Sequence, residues 1–298
     1  MGLLPPALSD PGYLRSIGLG EQVRIVDGVD LAVVVRAIPG TQRSDAALPW
    51  PYCQVAGSED LDRVAEQCHD LVSVVGVVMT SSDEPDFPAS AWVRPHRDQY
   101  VFDPRGPRRE LSARTRRHVR DGDALWAVRD VSAEPDAAAQ VEALYQHIVR
   151  RHRAEGSWLD FAGEHFVRLV GAPGVRTWAA VDADGTWGAF CCAAVDDDSL
   201  CMIHLGGTDS ALRRDAMYAL MHHLRTSCTT NGRTMYLGNA RPAATGLQRF
   251  KTRWATGLKP AWTVGMVTDP DAYARLPRAS AEFFPAYRRP WSDASLSG

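Results

Sequence analysis

The chain has 298 residues, 45% of them apolar and 23% charged, with a formal net charge of −3. That length carries one large or two modest domains with their own cores, and the composition is that of an ordinary globular protein, not a fibrous or disordered one. No run of about 18 apolar residues occurs, and MGLLPPALSDPGYL lacks a basic stretch followed by an apolar core, so a membrane span and a leader are not expected and the expected location is the cytosol.

In chain order, Ser9 to Gly20 reads as a short helix or loop. VRIV and VDLAVVVRAI around Asp27-Gly28 read as a hairpin. EDLDRVAEQCHD carries Leu61, Val64, Ala65 and Cys68 at amphipathic-helix spacing. LVSVVGVVM reads as a buried strand, YVFD as a short one, and Arg109 to Asp121 as a helix with a basic face closed by Gly122. The polar segment SAEPDAA then reads as a boundary.

The second half repeats the plan. Helices are expected over Ala137 to Ala154 and Phe161 to Val170, then a three-stranded meander (VRTWAAV, TWGAFCCAAV, LCMIHLGG) ending in a turn at Gly206-Gly207. A long helix capped by Asp209 or Ser210 runs to about Cys228 and stops at Asn231-Gly232. RTMYLG is a strand, Thr245 to Trp254 a helix, AWTVGMV a last strand, and the tail from Thr268 is polar and irregular. The expected fold class is α/β: tandem domains, 1–130 and 131–267, each a twisted mixed sheet flanked by helices, with the tail 268–298 joined to the first.

The basic residues cluster. Seven arginines between Arg105 and Arg120 face one acid, Glu110, and seven arginines with Lys251 and Lys259 between His204 and Pro260 face only Asp209 and Asp215. Two such stretches in a mildly acidic chain point to a polyanionic partner. The six cysteines show no C-x-x-C or zinc spacing and read as reduced packing residues. G-x-S-x-G, H-E-x-x-H, Walker A and G-x-G-x-x-G are all missing, which argues against serine hydrolases, zincins, P-loop enzymes and Rossmann dehydrogenases, and no metal is expected.

YVFDPRGPRRELSARTRRHVRDG, EALYQHIVRRH, IHLGGTDSALRR, MYLGNA and GLQRFKTRW, in that order, resemble the Fem family, the two-domain aminoacyl-tRNA-dependent relatives of the GCN5-related N-acyltransferases (GNATs). The CoA-binding loop of the wider superfamily reads R/Q-x-x-G-x-G/A. Here Arg213 fits its first position, but Ala216 and Tyr218 stand in place of the glycines, so CoA is not expected as a cofactor. The chain also lacks the long helical arm of some Fem proteins and carries MYLGNA where many have a glycine run.

The resemblance implies amide formation, by attack of a small-molecule amine on the ester that joins an amino acid to tRNA. The acceptor is a peptidoglycan precursor or a secondary-metabolite intermediate. An acyl-CoA-dependent N-acyltransferase and a non-catalytic RNA- or partner-binding protein are the alternatives. By the same resemblance Lys251 is the candidate cation at the phosphate or oxyanion, with Phe250 beside it, and Asp103 the candidate group orienting the amine. His204, Asn239, Arg150 and Arg151 are candidate substrate contacts. Arg114, Arg116, Arg117 and Arg120, with Arg213 and Arg214, are candidate tRNA contacts, and the basic helix shows no interleaved aromatic platform.

Overall fold

In the computed structural model, Gly28 lies in the loop of the first hairpin at φ +75°, a conformation glycine adopts at no steric cost. The structure describes Leu14 and residues 22–28, 31–48, 53–55, 58–80, 86–107, 110–155, 160–161, 163–240, 244–279 and 283–288. The expected element over Ser9 to Gly20 lies almost wholly outside them. The first half holds β1 (Gln22–Val26), β2 (Leu31–Ala37), β3 (Ser44–Ala47), β4 (Cys53–Val55), α1 (Ser58–Gln67), β5 (Ser73–Thr80), β6 (Trp92–Pro95), β7 (Gln99–Phe102), α2 (Ala113–Asp123) and β8 (Ala127–Asp130). Next come α3 (Ala137–Arg151), α4 (Gly163–Gly171), β9 (Val175–Val181), β10 (Trp187–Val195), β11 (Ser199–Gly207), α5 (Asp209–Arg213) and α6 (Ala216–Asn231). The chain continues through β12 (Thr234–Tyr236), α7 (Thr245–Trp254), β13 (Gly257–Lys259), β14 (Ala261–Val267) and α8 (Pro270–Arg275).

These elements form two compact units, residues 1–98 with 259–294, and residues 99–258. In the first, the strand order is β1-β2-β3-β5-β14-β6, with β4 also paired to β5. β3 and β4 run parallel to β5 while the other pairs are antiparallel, so the sheet is mixed. Helix α1 turns Leu61 and Val64 into its core, as the spacing predicts.

The second unit has the order β13-β7-β12-β11-β10-β9-β8. The meander β9-β10-β11 is antiparallel, and β11 and β12 run parallel. One face carries α6, with Leu220, Met221 and Leu224 packed among Trp178, Cys191, Leu200 and Met202. On the opposite face lie α3 and α4. Among the described residues five cysteines are free and buried, and no cluster of His, Cys, Asp and Glu could hold a metal. Among the same residues no helix is long and apolar enough to cross a membrane.

Several expectations are corrected. The junction lies between Asp98 and Gln99, not after residue 130: β7 pairs with β12 and α2 packs on α6, contacts no local pattern announces. The polar SAEPDAA is a connection inside the second unit, with Val131 fully buried and the Ser132 hydroxyl accepting the Thr177 N–H. β14 belongs to the first sheet, between β5 and β6. Gly206 and Gly207 are not a turn but the end of β11, where a Cβ on Gly207 would meet the Gly188 carbonyl oxygen at 2.5 Å. The cap is Thr208, and the single long helix is two, α5 and α6, broken at Arg214-Asp215. Gly122 does not close α2 but lies inside its last turn, where a Cβ would sit 2.6 Å from the Asp215 carbonyl oxygen. The described part of the tail is not irregular throughout: Asp269 caps α8, and Phe284 packs against Gly265 and stacks on Trp92 and Tyr273.

Candidate functional site

The second sheet opens where β11 and β12 part. Their pairing runs only from Ser199↔Thr234 to Cys201↔Tyr236. Beyond it, Leu237 donates to the Tyr100 carbonyl and Tyr100 donates to that of Gly238, so this segment follows β7 instead. β11 meanwhile continues to Gly207, and its register with β10 shifts so that Ile203 is skipped, a β-bulge. The two parallel strands therefore form a wedge, with the bulge on one side and Leu237–Asn239 on the other.

Helix α7 brings Lys251 to this wedge. Its Nζ donates to the Asn239 carbonyl oxygen and lies 3.2 Å from where a Cβ on Gly238 would be, and Gly238 has φ +74°. Desolvation in this half-buried position lowers the Lys251 ammonium from 10.5 to about 8, since burial disfavours the charged form. No carboxylate among the described residues pairs with it. Phe250 is half-buried on the adjoining core and meets Trp254 edge-on, with ring centroids 6.5 Å apart. The structure thus brings together Lys251, Phe250 and Asn239.

A second cluster joins α2, α6 and α7. Asp215, at φ +61° in the break before α6, accepts from His118 Nδ1 at 3.0 and 3.1 Å. The His118 ring stacks on Tyr218 with centroids 4.6 Å apart and planes 23° apart. Arg253 donates from Nη1 to the Tyr218 hydroxyl and places its guanidinium 5.2 Å from the ring centroid. Trp254 lies 6.0 Å from Tyr218, ring to ring, and its indole N–H is buried with no hydrogen-bond partner among the described residues. The positive-φ residue is thus itself the carboxylate of the carboxylate–imidazole pair, and Asp is among the non-glycine residues that adopt this conformation most readily. Of these residues the sequence singles out only Tyr218, through the missing glycine.

The remaining candidates lie apart from Lys251. His204 is buried on the other face of the sheet, its Nε2 2.9 Å from His165 Nε2 among Tyr145, Phe161 and Phe166. Burial and the neighbouring His165 push it down to about 3, so it stays neutral at physiological pH. Asp103 shapes a turn: its Oδ1 accepts the Arg105 N–H at 2.9 Å and its own N–H donates to Thr256 Oγ1 at 2.8 Å. Arg151 pairs with Asp209 and donates to the Gly207 carbonyl, tying α3 to the start of α5, whereas Arg150 is exposed. On α2, Arg114, Arg117 and Arg120 are exposed, Arg117 with Asp121 3.5 Å away, and Arg116 donates to the Leu111 carbonyl. Arg116 and Arg120 also border a cleft of about 480 Å3 that Asp123 and His222 line as well. Arg213 is exposed, and Arg214 lies over the Trp126 ring, whose N–H its carbonyl accepts.

No protein-family model matches the sequence, and no curated protein matches it. Solved structures do. FemX aligns at a TM-score of 0.64 with 9% identity, over 90% of this chain and 93% of that one. L-PGS from Bacillus licheniformis aligns at 0.58 with 12% identity, over 89% and 93%. The C-terminal domain of a putative lysylphosphatidylglycerol synthetase from Agrobacterium fabrum aligns at 0.57 with 13% identity, over 88% of each. At such identities the likeness is one of fold, and the fold is like that of FemX.

Proposed function

We propose that this chain, with its FemX-like fold, is an N-acyltransferase that moves an amino acid from aminoacyl-tRNA to the amine of a small molecule, a peptidoglycan precursor or secondary-metabolite intermediate. The observation that carries this is Lys251, a lysine half-buried without a carboxylate partner among the described residues, at the edge of a wedge between two parallel strands. An acyl chain entering the wedge would run beside β11 beyond the end of its register with β12, much as an added strand would.

In the proposed reaction the acceptor nitrogen attacks the ester carbonyl, forming the C–N bond and an oxyanion. The C–O bond to the ribose then breaks, and the proton leaving nitrogen ends on the ribose oxygen. Near neutral pH the Lys251 ammonium supplies positive charge to that oxyanion in a poorly solvated place, where charge counts most. A free α-amine with a pKa of about 7.7–8.0 is already partly neutral, so the acceptor needs little help to lose its proton. The neighbour named as a putative lysylphosphatidylglycerol synthetase, whose named product carries an aminoacyl group, fits an aminoacyl donor. The broken, glycine-free start of α6 fits a donor without a CoA pyrophosphate.

The test is mass spectrometry of amide products from the full chain, charged tRNA and a panel of amines, with and without ribonuclease. Product that disappears with ribonuclease and with Lys251→Ala supports the reading. Product that survives ribonuclease and requires acyl-CoA overturns the tRNA donor, and a folded protein that makes no amide from either donor overturns the enzyme.

A further inference from the structure

The basic helix α2 lacks interleaved aromatic residues in sequence, yet the fold gives it one. His118 sits within the run Arg114, Arg116, Arg117, Arg120 and stacks on Tyr218 from α6. We infer that the His118–Tyr218 stack, with Arg253, is the seat of an adenine nucleotide at the carrier end of the acyl donor. The inference deepens the acyl-transfer reading and rests on it.

Three observations support a ligand platform over a simple clasp between helices. First, His118 keeps 31% of its side chain exposed although one ring face lies on Tyr218 and Nδ1 is held by Asp215. Among the described residues no partner of Nε2 is found. Second, the ring is fixed twice over, by the Asp215 carboxylate and by the stack, so a base landing on it costs little ordering. Third, the charge around it suits a nucleotide phosphate. Arg114 lies one turn before His118 on the same face of α2, and the Arg253 guanidinium stands over the far partner of the stack. The carboxylates nearby, Asp215 and Asp121, are engaged with His118 and Arg117.

The platform also has the right neighbours. Trp254 links Tyr218 to Phe250, and Phe250 precedes Lys251 on α7. The ring contacts therefore run from the platform to the residue beside Lys251. Tyr218, where a CoA loop has glycine, would thus be a base-stacking support. Adenosine ends both a tRNA acceptor strand and CoA, so the shared chemistry is a stacked adenine beside a phosphate, and the two sources are separated by experiment.

Binding of the trinucleotide CCA and of CoA to the full chain would be measured by titration calorimetry for wild type, His118→Phe and His118→Leu, with folding checked by circular dichroism. Loss of one base stack corresponds to about tenfold weaker binding. CCA should bind wild type, hold within about threefold in His118→Phe, and weaken about tenfold in His118→Leu. CoA showing that pattern instead keeps the platform and overturns the tRNA donor. Equal binding to wild type and His118→Leu, or no binding of either probe to wild type, overturns the platform. The amide assay with charged tRNA is read separately. Turnover with an unchanged KM in His118→Leu rejects the platform while leaving the transferase in place.

Discussion

Lys251 is held in a form that costs the folded chain stability. Its folded-state value of about 8 lies below the 10.5 of an unperturbed lysine, so between those pH values the unfolded chain binds more protons and stability rises with pH. Below about pH 8 the full cost is present. Lys251→Met should therefore stabilise the protein at pH 7, on the order of 1–3 kcal/mol, with the gain fading as pH rises toward 10.5. Turnover should fall at least about 100-fold, and wild-type turnover should decline above about pH 8 as the cation is lost. Denaturation curves at pH 7 and pH 10, beside a pH–rate profile, check both halves. A less stable Lys251→Met, or one with unchanged turnover, removes the site. Lys251 and Phe250 were legible from a short run ending in Phe-Lys, but Asp215, His118 and Arg253 were not, since residues 118, 215 and 253 meet only through packing.

At the scale of elements, local pattern and long-range pairing part company. The hairpin at Asp27-Gly28, the helix over Thr245 to Trp254 and the meander β9-β10-β11 follow from turn chemistry and periodicity, and all form. The partners of β7 and β14 do not follow, because they lie far away in sequence. The break between α5 and α6 was hidden as well, since Arg214-Asp215 suits a helix until α2 comes close. That approach is tested by glycine. Gly122→Ala gains about 1 kcal/mol of helix propensity, but its Cβ would lie 2.6 Å from a backbone oxygen. Overpacking against backbone costs about 1–3 kcal/mol, so the clash should win and shift the urea midpoint down. Gly246, in α7, has nothing within 4 Å of an added Cβ, and Gly246→Ala should be stabilising by about 0.5 kcal/mol. An equal effect at both positions would show that α2 and α6 are not in close contact.

On the scale of the whole molecule, the first unit is closed by the end of the chain. Asp45, fully buried in β3, accepts from Arg36 at 3.0 Å, from Tyr287 at 3.0 Å and from Arg288 at 2.6 and 2.9 Å. Taking away one partner of a buried charge costs about 3–5 kcal/mol. Arg36 and Tyr287 remain in Arg288→Ala, so a loss near 3 kcal/mol is expected, read by denaturation with the fluorescence of Trp92 and Trp262. A loss below about 1 kcal/mol would mean that the tail is not needed there. The same discontinuity bears on synthesis. β14 fills the middle of the first sheet yet emerges from the ribosome only after all of residues 99–258. At about 5–20 residues per second, the apolar strand SVVGVVMT waits roughly ten to forty seconds with one edge open. For that interval the nascent chain carries a ready template for pairing with another copy, and a chaperone that covers this edge should raise the yield of folded protein.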